Sequence, residues 1–140
     1  PRSRPQTTPV LGRSGCVSVT RADPVRLQQV FINLLSNAEH ALGAVPGDRR
    51  ITVRTTQRDG YLVTVISDTG PGIAPEHLAH IFNPFYTTKP RGIGTGLGLS
   101  ISFGIIREHG GMLRVLPEPS HGAAFEVSLP IVASPSSGNQ

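Results

Sequence analysis

The chain has 140 residues, 37% hydrophobic and 16% charged, with a formal net charge of +4. That length supports one domain, and five Phe, two Tyr and no Trp make its core aliphatic. The thirteen Lys and Arg are scattered, which favours a solvated surface over a nucleic-acid patch, and no apolar stretch approaches the roughly 18 residues of a membrane span.

Residues 1–15, rich in Pro, Arg, Ser and Thr, read as a flexible linker, and the domain is expected over 16–132. The start at Pro1 rather than Met reads as the start of an excised piece, and no signal peptide opens it. Cys16–Thr20 is expected as a strand, and the single Cys16 excludes an internal disulfide or a zinc pattern. Asp23 suits a helix N-cap with Pro24 at the first helical position. That helix runs to about Leu42 and stops at Gly43. Ile51–Thr56 and Tyr61–Ser67 are strands joined by the hairpin signal Arg58-Asp59-Gly60. A turn at Asp68–Gly72 precedes a short helix from Pro75 to Ile81. Asn83 to Gly96 has no period and reads as a functional or mobile loop. A second long helix spans Leu97 to His109, and Met112–Leu116 and Ala123–Leu129 form a closing pair. Residues 133–140 read as a flexible tail or linker. The order β–α–β–β–α–α–β–β predicts an α/β (α+β) two-layer sandwich. Its mixed, mostly antiparallel sheet is covered on one face by helices.

Three features carry chemistry. On the first helix, Asn33, Asn37 and His40 fall on one side with Arg26 and Gln29, opposite a broad apolar arc. Asn is a poor helix former, so a pair one turn apart suggests amide oxygens with a task, such as holding Mg²⁺ beside phosphates. A plain solvated face is the alternative. Asp68 ends an apolar strand, where a carboxylate is costly unless paired. It could accept the exocyclic amine of a base, with Gly70 and Gly72 letting a ring approach the backbone, or simply start a turn. Residues 92–99, Gly-Ile-Gly-Thr-Gly-Leu-Gly-Leu, open a helix and could present N–H groups to a phosphate.

Four segments then stand in order: Asn33-Leu34-Leu35-Ser36-Asn37-Ala38, Asp68-Thr69-Gly70-Pro71-Gly72-Ile73, Phe82-Asn83-Pro84-Phe85 and Gly94-Thr95-Gly96-Leu97-Gly98-Leu99. Over about residues 17–131 the chain resembles the catalytic, ATP-binding domain of bacterial sensor histidine kinases, whose N, G1, F and G2 boxes these match. That domain has the Bergerat ATP-binding fold shared with gyrase, the Hsp90 chaperone and MutL. Thr87-Thr88-Lys89-Pro90 most resembles the branch of nitrogen-regulation and C4-dicarboxylate sensors.

The resemblance implies ATP and Mg²⁺ as cofactors. Asn37 would hold Mg²⁺, Asn33 would assist, and His40 would lie near the phosphates. Asp68 would accept the adenine amine, with Gly70, Gly72 and Ile73 shaping the pocket. Phe82 and Phe85 would anchor a mobile lid carrying Thr88, Lys89 and Arg91, the last two meeting the γ-phosphate. Gly94, Thr95, Gly96, Leu97 and Gly98 would hinge the lid and face the phosphates. On this view residues 86–95 are the least ordered internal segment without nucleotide. Asn33 stands where hydrolysing relatives carry a water-activating Glu, and Ala123 replaces a hydroxyl residue near adenine in some relatives. None of the five His residues has a phosphoacceptor context. The phosphorylated histidine is therefore expected on a dimerisation domain of the same protein, upstream of Pro1. A response regulator receiver domain would be the next partner, with no nucleic acid involved. The parent would be a homodimer, the isolated domain a monomer, and the location cytoplasmic, with or without an inner-membrane anchor on the parent. The alternatives are a serine kinase or ATPase of the same fold, of the anti-sigma-factor kinase type, and a non-catalytic nucleotide-sensing module.

Overall fold

The structure is a computed structural model that describes residues 6–7, 22–43, 47, 49–86, 97–116 and 122–132. Its elements in chain order are β1 (Gln6–Thr7), α1 (Pro24–Leu42), β2 (Arg50–Arg58), β3 (Tyr61–Asp68), α2 (Pro75–Leu78), α3 (Gly98–Glu108), β4 (Met112–Leu116) and β5 (Ala124–Pro130).

Local chemistry sets most boundaries. The Asp23 carboxylate accepts from the backbone N–H of Val25 (3.0 Å) and Arg26 (3.4 Å), and Pro24 fits the first turn, where its missing N–H costs nothing. Asp59 and Gly60 both take positive φ, 54° and 82°, the pair of left-handed residues that a two-residue hairpin turn requires. β2 and β3 therefore pair in antiparallel register from Arg58↔Tyr61 to Ile51↔Asp68.

The sheet order is β1-β2-β3-β5-β4, with β1 parallel to β2 and every other pairing antiparallel. α1 packs on β2 and β3, and α3 on β4 and β5, all on one face. Period-2 alternation sends Ile66, Phe125, Val127, Leu129 and Leu113 into that face, where Val30, Leu34, Ala38 and Leu42 of α1 and Ile105 and Ile106 of α3 complete the core. This is the expected mixed, mostly antiparallel sheet under one helical layer. One detail differs: the two-residue β1 lies inside the stretch whose composition reads as linker. An edge strand this short is held by the neighbour's backbone groups and needs no side-chain pattern. The strand expected at Cys16–Thr20 and the tail at 133–140 lie outside the described residues.

Polar links join α1 to α3. The Asp23 N–H donates to His109 Nε2 (3.0 Å) while His109 Nδ1 meets the Ile105 carbonyl oxygen (2.7 Å). A carbonyl only accepts, so Nδ1 carries the proton and Nε2 keeps the lone pair. An Arg26–Glu108 ion pair lies on the same two helices.

On the other face of the sheet Glu126 is buried to 4% exposure and accepts from Arg114 Nε (2.8 Å) and Arg58 Nη2 (3.3 Å). Burial pushes its carboxyl up. The hydrogen bonds and charge of Arg114, then Arg58, outweigh that and hold it below the ordinary glutamate range. Such a depressed carboxyl contributes stability that is complete above its unfolded value, about 4.3, and is lost as pH falls through its folded value. Wild type is expected to lose melting temperature more steeply than Glu126→Gln between pH 6 and pH 3; parallel curves would contradict the assignment. Leu34, 1% exposed at the α1 core stripe, sets the scale for packing: Leu34→Ala should cost about 3 kcal/mol in denaturant unfolding.

Candidate functional site

The site begins where β3 ends. Asp68 is only 9% exposed, and its Oδ1 accepts from the Gly70 N–H (2.8 Å) and the Ala123 N–H (3.4 Å). The Asp68 N–H in turn donates to the Ala123 carbonyl oxygen (2.9 Å). A carboxylate bonded by backbone amides is stabilised in its charged form at low exposure.

That arrangement needs glycine just before the opposing strand, β5. Gly122 has φ +113°, and a Cβ there would lie 1.8 Å from the Asp68 carbonyl oxygen. Gly72 has φ +80°, and its Cβ would come within 2.9 Å of the Gly122 carbonyl oxygen. Both are left-handed, and in both the space is already filled by backbone. Gly70 packs on α1 instead: a Cβ there would meet Asp68 Oδ1 at 2.9 Å and the Ala41 Cβ at 3.0 Å. The turn is thereby pressed against the last turns of α1, one turn beyond Asn37. Ile73 packs partly buried on the core and closes this side.

The polar stripe of α1 divides in two. Toward its start, Asn33 Nδ2 donates to the Gly98 carbonyl oxygen (3.3 Å) and to Ser102 Oγ (3.2 Å). Because the Gly98 oxygen can only accept, Nδ2 faces α3, and Asn33 Oδ1 has no hydrogen-bond partner among the described residues. Ser102 is fully buried, so this bond also satisfies a core hydroxyl. Farther along, Asn37 is half-buried and His40 exposed. Among the described residues α3 opens at Leu97-Gly98 with no side-chain cap hydrogen bond, and its dipole places partial positive charge there. Asn33 and the first turn of α3 are thus in direct contact, although 65 residues separate Asn33 from Gly98.

Phe82 packs its ring tilted against Phe103 (5.1 Å between centroids) and edge-on to Phe125 (6.5 Å). Phe85 has φ 66° and is 73% exposed. Its neighbour Tyr86 is packed on the core, hydrogen-bonded through its hydroxyl to His77 Nδ1 and in ring contact with His77 and His80. A left-handed Phe85 turns outward so that Tyr86 can turn in. Thr88, Lys89, Arg91, Gly94, Thr95 and Gly96 lie outside the described residues, as does all of the expected lid after Tyr86.

Sequence reasoning missed Gly122, Ser102 and Tyr86. Gly122 had one available signal, a glycine just before the final strand. The others depend on contacts that only the folded chain makes.

These residues fit a nucleotide. A buried, amide-held carboxylate can accept a base amine, glycine backbone allows close approach of a ring, and an uncapped helix start suits phosphate. No group of three or more His, Cys, Asp or Glu side chains converges among the described residues. A Mg²⁺ ion here would take few protein ligands and complete its shell with phosphate oxygens and water.

Residues 22–133 match the model of the "Histidine kinase-, DNA gyrase B-, and HSP90-like ATPase" family, and the chain belongs to that family. It is 43% identical over 113 residues to the sensor histidine kinase ZraS of Salmonella typhimurium, a match covering 81% of this chain and 23% of that protein. The chain therefore spans about a quarter of that relative's length. Among solved structures it resembles the mycobacterial sensor histidine kinase MprB, with TM-score 0.69 and 33% identity over 82% of this chain and 76% of that one. Full-length ShkA in complex with AMPPNP gives TM-score 0.71 and 31% identity, over 84% of this chain and 24% of that one. The fold is accordingly the Bergerat ATP-binding fold of histidine kinase catalytic domains.

Gly122→Ala should cost more than about 2 kcal/mol in denaturant unfolding, since backbone must move to admit the methyl. Gly104→Ala, on α3 with nothing within 4 Å of its Cβ, should instead be neutral or gain up to about 1 kcal/mol. Equal effects at the two positions would refute the crowding at Gly122.

Proposed function

We propose that the chain is the catalytic, ATP-binding part of a sensor histidine kinase. It would pass the γ-phosphoryl group of Mg-ATP to a histidine on a dimerisation domain of the same protein, beyond residues 1–15. A receiver domain would take the group next. The observation that carries this reading is the Asp68 carboxylate held by the Gly70 and Ala123 amides.

Phosphoryl transfer asks a protein mainly for positioning and charge neutralisation. Asp68 accepts the adenine amine at low exposure, where a hydrogen bond is stronger than in open water. Gly70, Gly72 and Ile73 shape the ring's seat. The first turn of α3, with Leu97 and Gly98, directs N–H groups at the phosphates, and Gly94, Thr95 and Gly96 are assigned to the same phosphates. Asn37 contributes an amide oxygen to Mg²⁺, and Asn33 offers Oδ1 from the same helix face. Bound Mg²⁺ would spread the charge on the phosphate oxygens. Lys89 and Arg91, with Thr88 beside them, are assigned to the γ-phosphate, and His40 to the rim. Asn33 cannot act as a general base toward water, which supports transfer to a protein over hydrolysis. Cytoplasmic placement, where ATP is available, follows from the same reading.

Calorimetric titration with Mg-ATP tests it. Wild type should bind, and Asp68→Asn should weaken binding at least tenfold, about 1.4 kcal/mol, by presenting an amide where an acceptor is needed. Absence of binding by wild type, or equal binding by the variant, would overturn the adenine assignment. Asn37→Ala should lower affinity in Mg²⁺ but leave the residual affinity in EDTA unchanged.

A further inference from the structure

The face of the sheet opposite the helices carries its own pattern. The strand registers set Arg54, Val65, Glu126 and Arg114 in one row across β2, β3, β5 and β4. At about 4.8 Å per strand the row is roughly 14 Å wide. Glu126 is the only acid that the described strands place on this face. Its two oxygens are taken by Arg114 and Arg58, so its charge is spent internally.

The clamp leaves the arginines with spare capacity. Arg114 uses only Nε and Arg58 only Nη2, out of five N–H donors on each guanidinium, and both side chains are 55% exposed. Arg54 makes no ion pair among the described residues. Beside them Tyr61 and Met112 are 41% and 39% exposed. Arginine, tyrosine and methionine are the residues enriched where proteins meet.

We propose that this helix-free face docks an acidic segment of a partner protein whose carboxylates meet Arg54, Arg58 and Arg114 while apolar side chains cover Tyr61 and Met112. Charge selects this occupant. A second copy would bring the same arginines and a net charge of +4, and like charges disfavour face-to-face pairing. A nucleic-acid backbone would run its phosphates over Glu126, with one aromatic ring, Tyr61, for stacking. Glu126 then has a definite role: it holds two arginines in place and leaves their outer donors to a carboxylate, the preorganisation that makes such pairs effective.

The test titrates the full chain by fluorescence anisotropy against three labelled probes. They are a synthetic peptide of alternating glutamate and leucine pairs, its glutamine-for-glutamate counterpart, and a single-stranded oligonucleotide. The acidic peptide should bind most tightly and weaken with salt. Arg54→Gln should weaken it about fivefold, the size of an exposed charge pair. Glu126→Gln should weaken it as well, although that change makes the face more positive. The inference is overturned if Glu126→Gln tightens binding, if Arg54→Gln has no effect, or if the oligonucleotide or glutamine peptide binds equally well. Should Glu126→Gln unfold, as judged by circular dichroism, the Arg54→Gln and probe comparisons decide alone, since Arg54 is exposed and unpaired among the described residues.

Discussion

The site depends on one close crossing of two backbones, where the carbonyl of Asp68 passes the α-carbon of Gly122. A Cβ at Gly122 would stand 1.8 Å from that oxygen, so only glycine lets β3 and β5 approach this closely. The approach brings the Ala123 N–H to Asp68 Oδ1 at 3.4 Å, and the following turn brings the Gly70 N–H at 2.8 Å. An acid at the buried end of a strand would otherwise be a liability. Here amides bond it and orient it before any ligand arrives. The adjacency of β3 and β5, strands separated by α2, α3 and β4 in sequence, is what makes this possible.

α1 is the second reference. It presses Ala41 on the Asp68 turn and bonds α3 through Asn33, Arg26 and the Asp23 amide. The start of α3 and the Asp68 turn are thus located against the same helix. On the proposed reading that shared wall sets the distance between the seat of the base and the seat of the phosphates. Chemistry that consists largely of positioning gains most from such rigidity.

Local signals read well in the sequence because their physics is local. The Asp23-Pro24 cap, the Asp59-Gly60 turn and the alternation of the strands each act within a few residues. The four motif segments in order carried the resemblance to the family, and the family match over residues 22–133 bears it out. What the sequence did not carry was contact. Asn33 reads as a ligand-facing amide, yet half of it is committed to Gly98 and Ser102. Phe85 and Tyr86 read alike as aromatic neighbours, and backbone φ at Phe85 decides that Tyr86 is the one turned into the core. The demand for glycine at 122 comes from the Asp68 backbone across from it, a contact that only the folded chain makes. β1 has no side-chain pattern to find.

The most direct measurement compares ATP with purine riboside triphosphate, which lacks only the exocyclic amine, in wild type and in Asp68→Asn. If Asp68 reads the amine, wild type prefers ATP by about tenfold or more and the variant loses most of that preference. If wild type binds both nucleotides equally, or the preference survives in Asp68→Asn, the crossing at Gly122 does not build a base-reading site and the central claim fails.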